Sequence, residues 1–461
     1  MKLLFIIPWL PYPLNSGGAQ AFFNMVDEIR KVHRVSLLLN TWNKEEEANV
    51  NALREVWPDV SILNYDHREE QNNEPQGVSF NDELNSLNMA SFTKWQCRVM
   101  RKWQESLWRK INRRMNKARI HTKTAVKTTD GQTESTVNVT AIVRSRSTIY
   151  NKYNGLTKGF ISWVEKIAKE DFDLIQVEFY EFLPLIHVLP KDVETVFLHH
   201  EIRFIHNENE LTVFDEVTPQ DTLLLEDEKG REINNLSKFK HIIVLTETDK
   251  EILCKLLPGK DIYVSPAITE ATKKLTSSSL SFRLAKDMVF MGNSDHMPNL
   301  EGLIWFCAEV LPLVKKSHPD YMLYVTGKWD KSSQTTIKSL GQNVTFTGFV
   351  DDISSFINGK ISVVPIRVGS GMRMKIIDSI VANAPLVTTS KGCEGLPMED
   401  GYNAIIADTS KGLAEGILKL LDNTSLQEQI TTNAHHAIVS TLSAEALLKK
   451  RLDFYKQFNK E

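Results

Sequence analysis

The sequence predicts an α/β protein made of two doubly wound parallel-sheet domains, Rossmann-like in layout, that face each other across a cleft. Short apolar runs of strand length alternate with helical patterns through both halves of the chain. Two glycine turns, Gly17-Gly18 and Gly369 to Gly371, each stand between an apolar run and a helix start. A Ser/Thr/Lys-rich stretch without apolar period, Ala267 to Phe282, divides the halves and marks a domain boundary. The 461 residues, 42% hydrophobic and 25% charged, are enough for two such domains with their own cores. Cys97, Cys254, Cys307 and Cys393 are scattered with no C-x-x-C pair, which argues against a disulfide framework or a zinc site and favours a reducing compartment.

Lys2 to Ile7 reads as the first buried strand. Lys2, the apolar run and Ala19 to Ala21 superficially resemble a signal peptide, but the run is short and contains Pro8. The turn through Gly17-Gly18 opens a helical pattern (Phe22, Phe23, Val26, Ile29), and Arg34 to Leu39 is the next strand. From Asn40 the order fades, and 64–91 reads as polar loop or insertion. No run of about 18 apolar residues occurs, so no membrane span is expected.

Between Ser91 and Lys127 there are twelve Lys or Arg against one acid, Glu105, a net +11 that leaves −14 for the rest of a chain of net −3. Within 92–120, Trp103, Leu107, Trp108, Ile111 and Met115 gather on one side of a helical wheel, with Arg98, Arg101, Lys102 and Arg109 opposite. Three readings stay open: a surface helix with solvated cations, a face for anionic lipid headgroups, or nucleic-acid contact, which no recognised module supports. Residues 121–148 read as irregular.

Order returns with a helix at Ile161 to Ala168 and a strand at Asp173 to Val177 that ends at Glu178. The strand Val193 to Leu198 ends at His199-His200-Glu201. Open α/β sheets place their sites at strand carboxyl ends, so His199 is a candidate, although a histidine there is as often structural. His241 to Leu245 is a strand, Thr246 caps the helix Asp249 to Leu256, and Tyr263 to Ser265 ends this half. The domains are accordingly 1–270, with an insertion at about 64–150, and 283–440, followed by a C-terminal helix at 441–461 that folds back onto the first domain.

In the second half, the strand Asp287 to Met291 leads through Gly292-Asn293 to a helix at Leu300 to Lys316. Strands at Tyr321 to Thr326 and Val344 to Thr347, with Val350 in the loop beyond, precede the helix Ile353 to Ile357. The strand Ile361 to Ile366 then passes through Gly369-Ser370-Gly371 into a helix carrying Arg373, Lys375 and Asp378; Leu386 to Thr389 is a strand before a loop with Glu394. A helix start presents unpaired N–H groups and positive potential, so it favours an anion. Two cations in the first turn are each unfavourable there by up to about 1 kcal/mol and ask for a compensating anion, which a diphosphate would supply. A dinucleotide-binding turn is the alternative, but the spaced third glycine is missing.

These stretches resemble the retaining GT-B-fold glycosyltransferases, in particular the family-four group that uses nucleotide sugars. The resemblance rests on PYPLNSGGAQ, FLHHEIRF, FMGNSDHMPNLEGLIWFCAEVLPLV, VTFTGFVDDI and VPIRVGSGMRMKIIDSIVANAPLVTTSKGCEGL, and is strongest beyond residue 286. It implies a hexosyltransferase that moves a sugar from a nucleotide sugar to a glycan or lipid-linked acceptor with retention, in polysaccharide biosynthesis, with no cofactor and no metal required. Arg373 and Lys375 would hold the donor diphosphate, Asp378 the ribose, and Val350 would lie near the base. His199 would approach the transferring sugar, and Gly17, Gly18, Gly292 and Gly371 would lie along the donor. The group's two glutamates, eight positions apart, fall on Ser370 and Asp378, so the first carboxylate is absent and Glu394 is its candidate substitute. The expected setting is cytoplasmic, with peripheral attachment to the inner membrane face through 92–120 and nucleic acid not a partner. The competing class is a catalytically silent GT-B protein that binds a nucleotide or a protein partner.

Overall fold

The computed structural model describes residues 1–14, 17–69, 144–150, 155–275, 281–341 and 343–458. The basic stretch 92–120 lies outside the described residues, as does most of the insertion around it. Among the described residues the first domain contains seven parallel strands: β1 (Lys2–Ile6), β2 (Arg34–Thr41), β3 (Ser61–Asp66), β4 (Leu174–Glu178), β5 (Glu194–His199), β6 (His241–Val244) and β7 (Asp261–Val264). Their order is β3-β2-β1-β4-β5-β6-β7, with the reversal beside β1, where Leu3 pairs with Val35 on one side and Leu174 on the other. The second domain has six: β8 (Asp287–Met291), β9 (Leu323–Thr326), β10 (Val344–Gly348), β11 (Lys360–Val364), β12 (Leu386–Thr388) and β13 (Ile405–Ile406), in the order β10-β9-β8-β11-β12-β13. Two all-parallel sheets with helices between their strands are the GT-B arrangement.

Helix Lys44–Val56 and β3 correct the reading that order fades from Asn40. That helix buries only Val50 and Leu53, too few positions for a legible period, and it is set by Asn43, whose side chain accepts from the Glu46 N–H at 2.9 Å. β3 is an edge strand with one neighbour, so its side chains stay half-buried and polar ones are tolerated. The boundary stretch also contains structure. Thr269 caps a short helix, Glu270–Lys274, whose Ala271 is buried in the core together with Leu275 just beyond the helix.

One further segment, Met297–Lys315, is a 19-residue helix long and apolar enough to cross a membrane by composition. Most of it is buried, and it serves as a core helix of the second domain. Pro312 lacks the N–H for a regular bond, and a π turn at Phe306–Val310 precedes it.

The last helix, Ala444–Lys456, crosses back to the first domain. Leu447, Phe454 and Tyr455 are at most 2% exposed there, and each such burial contributes about 1.5–3 kcal/mol. Tyr455 Oη donates to Gln176 Oε1 at 2.7 Å and Arg451 Nε to Ser265 Oγ at 3.0 Å. A single apolar cluster runs from Leu3 and Ile243 through Val364 and Ile376 to Tyr455, so the two domains share a core beneath the cleft.

Candidate functional site

The carboxyl ends of β1, β4, β5, β8 and β11 converge on a cavity of about 550 Å³ between the domains. From the first domain come Trp9, Gly17, Gly18, Phe179, His200, Glu201, Arg203 and His206; the second contributes Asn293, His296, Asn299, the glycine loop, Arg373 and Lys375.

Helix Met374–Val381 starts from Arg373, which occupies the N-cap in extended conformation, so the two cations leave the turn in different directions and still reach one cavity. Arg373 is 9% exposed. Its Nη1 donates to the carbonyls of Ser370 and of Gly371, the latter at 2.7 Å, while Nε and Nη2 have no partner among the described residues. Burial lowers its pKa, against the pull of Glu201, Glu394 and Asp249. Lys375 Nζ donates to Asn299 Oδ1 at 2.6 Å, and burial together with Arg373 pushes the ammonium down to about 7. A positive cavity wall with unmade donor bonds is suited to a polyanion.

Gly371 lies at φ 77°, and a methyl group on it would stand 2.7 Å from the His200 carbonyl oxygen. Only glycine lets this loop press on the first domain. Ser370 Oγ donates across the boundary to the Ile202 carbonyl at 3.1 Å, and Asn209 Nδ2 to the Gly369 carbonyl at 3.1 Å. Gly292 does not reach the wall; it makes room for Asn299, whose Nδ2 would lie 2.6 Å from an added Cβ.

The two histidines that end β5 take opposite sides. His199, expected at the sugar, is 1% exposed and off the cavity wall; its Nε2 lies 2.6 Å from Glu232 Oε1. The same carboxylate accepts the N–H groups of Arg203 at 3.0 Å and Phe204 at 2.9 Å. It thereby caps helix Arg203–Leu211, whose N-cap Ile202 has no capping side chain. His200 is the one on the wall. Its Nε2 is 2.9 Å from Glu178 Oε2, and its ring stacks on Phe179 at 3.9 Å between centroids.

Asp378, Val350 and Glu394 do not line the cavity either. Asp378 sits one turn beyond Lys375, its carboxyl raised to about 6 by burial against the pull of Lys274 and Lys375. Glu394 is held by Lys391 Nζ at 2.8 and 3.0 Å. Gly17, Gly18, Gly371, Arg373 and Lys375 are brought together.

Among the wall residues that the sequence reading did not single out are Trp9, His200, Glu201, His206 and Asn299. Glu201 carried the signal that pointed to His199, since it too follows β5. His206 lies on helix Arg203–Leu211, which with Pro219–Leu236 buries Glu210, Glu228 and Glu232. Charges on the buried face hide such helices from an apolar period.

Residues 285–423 match the family described as Glycosyl transferases group 1. A protein of Klebsiella pneumoniae described as an uncharacterized 44.6 kDa protein in the cps region is 27% identical over 156 residues, 32% of this chain and 40% of that relative's length. Among solved structures, a variant of S. aureus TarM in complex with fondaparinux, alpha-GlcNAc-glycerol and UDP aligns over all of both chains at 15% identity and TM-score 0.62. Anabaena HepE in complex with UDP and glucose aligns over 99% of each chain at 13% identity and TM-score 0.57. The sucrose-phosphate synthase of Thermosynechococcus elongatus does so over 99% of each at 12% identity and TM-score 0.58. The described residues thus have the GT-B fold, and the second domain carries the glycosyl transferases group 1 pattern on the side of the cleft that presents Arg373 and Lys375.

Proposed function

We propose that the protein is a retaining glycosyltransferase that moves a hexosyl group from a nucleotide sugar to a glycan or lipid-linked acceptor. The observation that carries this reading is the buried Arg373 guanidinium, with Nε and Nη2 unpaired among the described residues, beside Lys375 in the interdomain cavity. These two cations would hold the donor diphosphate and offset the charge that grows on it as the glycosidic bond breaks, so no metal is required. His200, held by Glu178, faces the sugar from the first domain. The loop contacts through Ser370 and Gly369 tie the two domains together beside the cavity, which would help to exclude water, the competing acceptor. The UDP in the TarM and HepE structures supports the donor class.

Thermal shift with a panel of nucleotide sugars tests this reading. A donor at about 100 times its dissociation constant stabilises by about 2.7 kcal/mol, a rise of several degrees. The purified protein is also expected to hydrolyse that donor slowly. Stabilisation by nucleotides without hydrolysis or transfer in any pairing would instead identify a silent binding protein.

The setting proposed is the cytoplasmic face of the membrane, reached through residues 92–120. Each Lys or Arg near an anionic surface contributes about 1 kcal/mol, so the protein is expected to sediment with anionic liposomes at low salt, to be released by raised salt, and to ignore neutral liposomes. Sedimentation unchanged when Arg98, Arg101, Lys102 and Arg109 are neutralised would remove the assignment.

A further inference from the structure

We infer that Glu201 supplies the carboxylate that the glycine loop lacks, accepting hydrogen bonds from hydroxyl groups of the donor sugar. This rests on the nucleotide-sugar reading above. The second domain offers no carboxylate at the expected place: position 370 is serine, and its hydroxyl is engaged with the Ile202 carbonyl at 3.1 Å. Glu394 is paired with Lys391, and neither it nor Asp378 reaches the wall. Glu201 does reach it, from the first domain and directly against the same loop, since a methyl on Gly371 would lie 3.4 Å from Glu201 Cβ. Gly371 also accepts from Arg373 Nη1 at 2.7 Å, so the carboxylate and the diphosphate cation flank one residue. A sugar linked to a diphosphate on Arg373 then begins where Glu201 stands.

The carboxylate is held charged and oriented. His206 Nδ1 is 3.1 Å from Oε2, and Arg203 Nη1 is 3.3 Å from Oε1. Burial would raise the Glu201 pKa, but His206 and Arg203 hold it well below the usual carboxylate range. His206 is itself fixed by Glu210 at 2.8 Å; burial would lower its pKa, yet Glu201 and Glu210 raise it to about 9, so both ring nitrogens donate. An ionised carboxylate offers about four acceptor directions, and these two partners leave room for two hydroxyl donors. Vicinal hydroxyls of a hexose match that need.

The position also fixes what a counter-ion or a structural role would do differently. Glu201 attracts Arg373. Losing its charge therefore leaves the cation freer for a diphosphate, while the sugar loses its acceptor. The test measures wild type, Glu201→Gln and Glu201→Asp by calorimetry and donor hydrolysis, with UDP-, GDP-, ADP- and dTDP-linked sugars and the matching free diphosphates. Glu201→Gln is expected to bind the free diphosphate as tightly as wild type or tighter, to lose the extra affinity conferred by the sugar, and to hydrolyse the donor at least tenfold more slowly. Glu201→Asp keeps the charge and the fold, and is expected to bind the free diphosphate like wild type while losing at least fivefold in hydrolysis. Hydrolysis by Glu201→Gln within twofold of wild type, or a parallel fall in diphosphate affinity, overturns this inference alone. Wild-type protein that binds none of these nucleotides overturns the nucleotide-sugar reading, and this inference with it.

Discussion

Arg373→Ala and Lys375→Ala are each expected to weaken nucleoside diphosphate binding by about 10- to 150-fold. A charge-assisted hydrogen bond to a phosphate contributes about 1.5–3 kcal/mol, and both cations stand at the wall of a cavity that shields them from water. Lys375 adds a pH signature. In the ligand-free protein its ammonium is pushed down to about 7 by burial and by Arg373, so above that pH it is mostly neutral. A bound diphosphate favours the charged form and raises the pKa again, so binding takes up a proton in this range. The wild-type affinity is therefore expected to fall by up to about tenfold per pH unit above pH 7, whereas Lys375→Ala should lack this slope. Calorimetry from pH 6 to 9 reads both effects, and unchanged affinity in both variants would discard the phosphate site.

The second large effect is on stability. Glu232 is fully buried and holds three groups at once: His199 Nε2 and the N–H groups of Arg203 and Phe204. Glu232→Ala orphans all three and leaves helix Arg203–Leu211 without its cap, a loss of about 3–5 kcal/mol, which is a large part of the stability of an ordinary domain. His199→Ala leaves the two N–H bonds in place and is expected to cost about 1–3 kcal/mol. Denaturant unfolding measures both. The decisive comparison is activity per folded molecule, which His199→Ala is expected to retain within about threefold. A hundredfold loss of turnover in a fully folded His199→Ala protein would return this residue to the chemistry.

Helix Arg203–Leu211 also carries Asn209, whose side chain reaches the Gly369 carbonyl in the other domain. Losing the cap therefore acts on the cavity as well as on the first domain. Variants of Glu232 are expected to weaken diphosphate binding through disorder of this contact, and the defect should shrink as temperature is lowered.

The chain taken by itself determined the two parallel-sheet domains, the glycine turn at Gly369 to Gly371 and the pairing of Arg373 with Lys375, whereas Gly17 and Gly18, expected in a turn, are the first residues of helix Gly17–Ile29. All three rest on local signals: apolar runs of strand length, glycine where the backbone needs it, and charge that conflicts with a helix start. The same local character explains what was missed. Helix Lys44–Val56 buries too little to show a period, and helices Arg203–Leu211 and Pro219–Leu236 turn glutamates inward because those carboxylates meet partners far away in sequence, such as Ser147 with Glu210 and His199 with Glu232. Only the tertiary structure decided between His199 and His200. Side chains alternate across a strand, so one of the two had to point into the sheet packing and the other into the cleft, and nothing local to HHE says which. The partner that settles it, Glu232, is 33 residues away. The same holds for Glu201: its place beside Ser370 and Gly371 follows from the docking of one domain on the other, an arrangement set by the core they share and by no residue near either loop.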